Sequence, residues 1–331
     1  MKYIKFNNVY INNYFTLLTS TINKPIIDSK VDLLLKNDYF VNKKSTEEGE
    51  CEYQRIALNG LLEKSKIKEK DIDLLIGGDL QNQLFASNYN ASNYSIPFLG
   101  VYSACASFIE SLIIGASLVG RNKLKNVVAI TSSNNLVSEK QFRFPVEYGS
   151  IKKKVNSFTA SGAVSALISS KKSNIKIESA NIGKVIDMGH SDTNDMGSCM
   201  APAVAETLYD HLTSTGRNPD YYDIVLTGDL GIYGLSIMKE YLYKKYKIKS
   251  NNINIYDAGM LLYNINKDSL FAGGSGPICA PLMLFTEIIK KHRKILVLGS
   301  GSLHSCTSSN LKKSMVGISH AVSLEVNLWY M

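Results

Sequence analysis

Cys105 is the residue of this chain best placed to do covalent chemistry. It lies in a small-residue turn, Ser103-Ala104-Cys105-Ala106-Ser107, that follows an apolar segment at residues 96–101. Phe108, Leu112, Ile113 and Leu118 then recur at helical spacing, so a helix is predicted to open at the turn. The unpaired N–H groups of a first helical turn, and its dipole, favour an anion: a cysteine thiolate or a bound carboxylate. The same pattern also fits Cys105 as a small buried residue between two alanines. Polar residues end the apolar runs elsewhere: Asp79, Ser132 and Ser133 in the first half, and Asp229, Ser300 and Ser302 in the second. Ligands of open α/β sheets bind at the carboxyl ends of strands, so all six are expected to gather with Cys105 in one pocket. An aspartate beside the cysteine raises the thiol's pKa and opposes thiolate formation.

The elements that must hold these residues are repeated. Asp223-Ile-Val-Leu-Thr-Gly-Asp229-Leu230 matches Asp73-Leu-Leu-Ile-Gly-Gly-Asp79-Leu80 without a gap, and the preceding helices keep the same offset, pairing Leu58 with Leu208 and Leu62 with Leu212. Gly274-Ser-Gly-Pro-Ile-Cys279 opens a helix where the first half has Ser103-Ala-Cys105. The run at 295–302 matches that at 127–133, and Ser319-His-Ala-Val-Ser matches Ser161-Gly-Ala-Val-Ser. Four elements in one order mark an internal duplication. Strands alternate with helices in each half, the pattern of a mostly parallel α/β sheet, with residues 1–172 and 173–331 as the two halves about a pseudo-twofold axis.

Composition narrows the partners. The chain has 331 residues, 45% hydrophobic and 20% charged, with a net charge of +8 that favours anionic partners. Its lysines read as scattered pairs and triplets such as 152–154 and 290–291, solvated surface without the aromatic-interleaved stripe of a nucleic-acid site. Five cysteines without CxxC spacing indicate neither a disulfide framework nor a zinc site, which suits a reducing compartment. The amino-terminal residues lack a signal-peptide core and no apolar run approaches the ~20 residues of a membrane span. A soluble, cytoplasmic-type chain is expected, with any membrane contact peripheral.

A duplicated α/β chain with a cysteine on the third helix of its first half resembles the thiolase and ketoacyl synthase superfamily. The motifs DIDLLIGGDLQNQ (71–83), KQFRFPVEYG (140–149), GKVIDMG (183–189), DMGSCMAPA (195–203), LTGDLG (226–231), DAGMLLY (257–263) and FAGGSG (271–276) resemble, within that superfamily, the stage V sporulation protein AD family of spore-forming bacteria. The resemblance implies a thiolase-like α-β-α-β-α sandwich. It further implies non-catalytic binding of dipicolinic acid, pyridine-2,6-dicarboxylate, for uptake into the developing spore. The setting would be a membrane-associated complex with other stage V sporulation membrane proteins at the spore inner membrane. Superfamily enzymes pair the cysteine with two further groups, His with His or Asn, from second-half loops. Here the loops at 229–231 and 273–275 contain no histidine. An acyl-transferring enzyme using Cys105 is the alternative, and His304, in a pocket loop of such enzymes, is the residue that would serve it. His190 is a weaker pocket candidate, and His320 reads as core or interface. A dicarboxylate asks for donors, and the candidates are the helix N-termini at Cys105 and Ser275, the hydroxyls of Ser132, Ser133 and Ser302, and the guanidinium of Arg143. Asp79 and Asp229 would cap loop amides, or meet calcium carried as the ligand's counter-ion; no cofactor or resident metal is expected. By analogy with the superfamily, the chain would form a homodimer.

Overall fold

The computed structural model describes residues 2–20, 30–36, 38–142, 158–250, 253–263 and 271–328. The strands are β1 (Lys2–Lys5), β2 (Tyr10–Ser20), β3 (Leu33–Lys36), β4 (Leu74–Gly78), β5 (Phe98–Gly100), β6 (Asn126–Ser133), β7 (Ser161–Ser169), β8 (Ile175–Ile182), β9 (Ile186–Asp187), β10 (Ile224–Thr227), β11 (Ile255–Asp257), β12 (Lys294–Leu303) and β13 (Val316–Val326). The main helices are α1 (Thr46–Ser65), α2 (Phe85–Ala91), α3 (Ser107–Gly120), α4 (Asn135–Phe142), α5 (Met196–Thr215), α6 (Gly231–Tyr246), α7 (Ala258–Leu262), α8 (Cys279–Thr286) and α9 (Cys306–Asn310). Among the described residues, no helix is long and apolar enough to cross a membrane.

Strand order runs β2-β7-β6-β4-β5 in the first half and β8-β13-β12-β10-β11 in the second. Each half therefore places its strands in the same sequence-to-space order, which is the duplication seen in three dimensions. The expected mostly parallel sheet is in fact mixed. β4, β5 and β6 are parallel, but β7 runs antiparallel to both β6 and β2, and β13 does the same between β12 and β8. The chain leaves β6 and enters β7 at one end of the sheet, and only an antiparallel strand can follow such a return. The ladders also correct the repeat. Ile130 faces Ser165 and its counterpart Leu298 faces Ala321, so Ser165 corresponds to Ala321, two residues away from the sequence match with Ser323. A two-residue slip leaves every side chain on the same face, so hydrophobic alternation cannot detect it.

β2 and β8 touch at Tyr10↔Lys176 and Ile11↔Ile175, joining the halves, and β1 departs from the partition by pairing with β8 of the second half. Three apolar clusters define the layers. α1 buries Tyr53, Leu58 and Leu61 against Leu75, Val128 and Ala163 on the outer face of the first half. α5 buries Val204, Leu208 and Leu212 against Val225, Leu296 and Ala321 on the outer face of the second. Between the halves, α3 and α8 share one core in which Phe108 meets Phe285 edge-on at 6.1 Å between centroids, with strand residues from both halves around them. The outcome is five layers, helix-sheet-helix-sheet-helix. α1 begins at Thr46, earlier than its apolar stripe suggests, because Ser45 caps it by accepting from the Glu48 amide.

Candidate functional site

The elbow is built by close backbone approach. Ala104, just before the cysteine, has φ +49, a left-handed conformation that costs an alanine about 1 kcal/mol or more. Its turn, Ala104–Ala106, is closed by the Ala106 amide on the Ser103 carbonyl at 3.0 Å, and α3 follows directly. β12 runs under this turn. A Cβ on Gly301 would stand 2.1 Å from the Ser103 carbonyl oxygen, so only glycine permits the contact.

Cys105 is held from below. The Asp229 carboxylate is the charge that acts most on its thiol, and the Gly276 N–H opposes it. Asp229 is fully buried; it accepts from Ser300 Oγ at 2.9 Å and from the Gly276 amide at 3.1 Å. Burial, and then the Asp229 charge, push the Cys105 thiol well above its ordinary pKa. Burial likewise raises Asp229 to about 7, with Asp257 adding to the shift and the donors opposing it. The arrangement keeps sulfur protonated.

Above Cys105 opens a cavity of about 90 Å³. Among the described residues it is lined by Ala104 and Cys105 of the elbow, Leu80, Ser138, Glu139 and Phe142 of the first half, and Thr159. Thr193, Asn194, Met196, Met200, Gly273, Gly274, Ser302 and His304 complete the lining. That volume is several times the ~10–15 Å³ that one water needs.

The residues singled out from the sequence divide into groups. Cys105, Ser302 and His304 line the cavity, and Asp229 and Ser300 lie directly beneath it. Burial lowers the pKa of His304, whose ring lies 6.1 Å from that of Phe142. Ser302 points its hydroxyl at Cys199 Sγ, 3.7 Å away. Asp79, Ser132 and Ser133 do not join them. Asp79 accepts from the Gln81 amide at 2.9 Å and from Ser87 N and Oγ at 2.8 and 2.6 Å. Ser132 donates to Glu50 at 2.9 Å, and Ser133 to the Ala160 carbonyl at 2.7 Å. The pseudo-twofold thus makes two acidic clusters, one per half, and only the second-half cluster touches the cysteine. Ser275 is buried behind the cavity, its carbonyl accepting from the Ala160 amide at 2.8 Å. His190 engages the Asp195 carbonyl at 2.8 Å. His320 sits in β13 under the elbow, accepting from the Gly183 amide at 3.1 Å and reaching Ser103 Oγ at 3.4 Å; burial lowers its pKa to about 4. Arg143 and the lysines at 152–154 lie outside the described residues.

Sequence reasoning missed Glu50, which faces Asp79 with its own carboxyl raised to about 8, because a glutamate inside a helix carries no mark of burial. It also missed Met196 and Met200 as cavity wall, although both lie in the 195–203 motif. Among the described residues, no cluster of three or more His, Cys, Asp or Glu could hold a metal ion.

Comparison with known proteins follows this geometry. A solved structure of a point variant of Xanthomonas campestris OleA superposes with a TM-score of 0.64 over 98% of this chain and 98% of that one at 13% identity. The 3-oxoacyl-[acyl-carrier-protein] synthase III of Aquifex aeolicus VF5 gives 0.54 over 98% and 99% at 15% identity. At these identities the likeness establishes the fold, which is thiolase-like. Stage V sporulation protein AD of Bacillus subtilis (strain 168) is 38% identical over 290 residues, 86% of this chain and 85% of the relative. The family profile for stage V sporulation protein AD matches residues 4–325, and the chain belongs to that family.

Proposed function

We propose that this protein binds dipicolinate in the cavity above Cys105 without turning it over, and serves its uptake into the developing spore. One observation carries the reading: a buried carboxylate, Asp229, fixed by Ser300 and the Gly276 amide, adds to burial in raising the thiol in the nucleophile position well above its ordinary pKa. A retired elbow of this kind keeps its donors. Gly273 and Gly274, the hydroxyls of Thr159, Thr193 and Ser302, and the Asn194 amide surround the cavity and could serve the two carboxylates of a small ligand. The dianion's charge is met by Arg143, or by calcium travelling with the ligand. Work in a complex with membrane proteins of the same sporulation stage, at the spore inner membrane, belongs to the same proposal.

Isothermal titration of the pure protein with dipicolinate, with and without calcium, beside Cys105→Ala and Ser302→Ala variants, tests it. Saturable binding weakened by both substitutions is expected. No saturable binding, together with labelling of Cys105 by an acyl thioester, sinks the proposal. That second outcome belongs to the competing reading, an acyl-transferring enzyme, which is favoured by one observation: His304 and Cys105 line the same cavity.

A further inference from the structure

The lysines that look scattered in the sequence are gathered by the fold. Three stretches, residues 121–125 between α3 and β6, 171–176 leading into β8 and 290–294 leading into β12, carry ten Lys and Arg and no Asp or Glu, with Glu287 just before the last of them. The ladders fix where they lie. Asn126 pairs with Ser169, Tyr10 with both Ser169 and Lys176, Val326 with Ile175, and Lys294 with Glu325. All three connections therefore sit at one end of six adjacent strands, β6-β7-β2-β8-β13-β12. At ~4.8 Å per strand this cationic face spans about 24 Å across both halves. Lys123, Lys171, Lys172, Lys290 and Lys294 are exposed on it. The nearest carboxylates are already engaged: Asp73 and Asp223 accept from backbone amides at the starts of β6 and β12, Glu325 pairs with Lys176, and Glu287 with Lys30 and Lys291. At the opposite end, where the cavity opens, some lysines have acidic neighbours, as in the pairs Lys140–Glu47 and Lys43–Glu52.

We infer that this face docks the protein onto an anionic phospholipid bilayer. The charge is spread over short segments from both halves rather than along a helix. The aromatics that border it, Tyr10 in its groove and Tyr221 under Lys294 at 4.3 Å, are only half-exposed and form no stacking platform, so it suits a plane of headgroups better than a nucleic-acid strand. At its centre, Lys172, Lys176 and Lys294, with Glu325 paired to Lys176, border an open groove of about 420 Å³ where headgroup phosphates would enter. The ten residues of β12 separate this face from the cavity by ~30 Å, so a docked molecule presents its cavity to water. The inference rests on charge placement alone and does not depend on dipicolinate being the ligand.

Flotation of the full chain with phosphatidylcholine vesicles, with and without phosphatidylglycerol, provides the test. Binding is expected only with phosphatidylglycerol, falling with added salt. The variant Lys123→Glu, Lys171→Glu, Lys172→Glu, Lys290→Glu should partition at least about a hundredfold more weakly, since each basic residue near an anionic surface contributes several-fold. A control with the same net charge, Lys44→Glu, Lys184→Glu, Lys312→Glu, Lys313→Glu at the cavity end, should bind like the parent. Equal loss in both variants shows a net-charge effect and overturns the inference, as does equal binding to neutral vesicles or failure of the parent to float. Preference for single-stranded nucleic acid over vesicles in competition also overturns it. Thermal melting of each variant separates lost docking from lost folding.

Discussion

Replacing Asp229 by asparagine tests the link between the buried carboxylate and the raised pKa of the Cys105 thiol. Burial is the larger cause of the raised Cys105 pKa, and the Asp229 charge is the next. A unit charge about 4 Å away interacts by about 4 kcal/mol at an effective dielectric of 20, which corresponds to at most about 3 pKa units. With a nucleophilicity exponent near 0.5, the alkylation rate at a pH below the thiol pKa should rise by roughly the square root of the gain in thiolate, about 30-fold. The comparison is made above pH 7, where Asp229 of the parent is largely ionised. The assay is iodoacetamide alkylation followed peptide by peptide, with buried Cys199 and Cys279 as internal references. Asp229 accepts from Ser300 and from Gly276 on different oxygens, so the single asparagine oxygen would keep the Gly276 amide while its NH2 donates to the Ser300 hydroxyl, which can accept, and the pocket should persist. Alkylation of Cys105 at the parent rate in D229N would refute the electrostatic account and leave burial as the whole cause.

Two further outcomes follow from the same structure. Glu50 is raised to about 8 by burial and by Asp79, so its contribution to stability is fully present below its unfolded value near 4.5 and is lost as pH rises through about 8. Glu50→Gln should therefore gain stability relative to the parent between pH 6 and pH 9, by at most about 5 kcal/mol, read from urea midpoints; an unchanged pH slope would remove the proposed titration. Gly276 has φ +99, and a Cβ there would stand 2.8 Å from Thr159 Cγ2 and 3.1 Å from Ser133 Oγ. Gly276→Ala should cost about 1–3 kcal/mol and release the Cys105 contact, seen as a lower melting temperature with faster alkylation; a parent-like melt would show that the loop relaxes freely.

Much of the fold was legible because periodicity and repetition are local properties. The gapless match of Asp73–Leu80 with Asp223–Leu230 announced the duplication, and the observed β4 and β10 lie in it at equivalent places. The apolar runs at 127–133 and 161–169 became β6 and β7 within a residue. The elbow was legible too, since small residues before an amphipathic run demand a turn into a helix. Strand direction was not, because apolar composition is the same for a parallel strand and for the antiparallel β7 and β13. Nor was the register of those last strands, since a slip of two residues preserves the alternation of faces.

Local patterning was enough to establish a duplicated α/β chain with a cysteine at a helix start, two equivalent aspartates and an excess of positive charge. Where these groups sit was settled by long-range contacts. The pseudo-twofold sent Asp79 to Glu50 and Ser87 in one half, and Asp229 to Cys105 in the other, although the two aspartates occupy the same repeat position. The elbow helix α3 lies between the halves and meets second-half strands, so its cysteine can contact only the second-half acid. The same topology turned three separate lysine-rich connections into one face. Contacts between residues more than a hundred positions apart depend on how strands are ordered and directed, and no local pattern encodes that order.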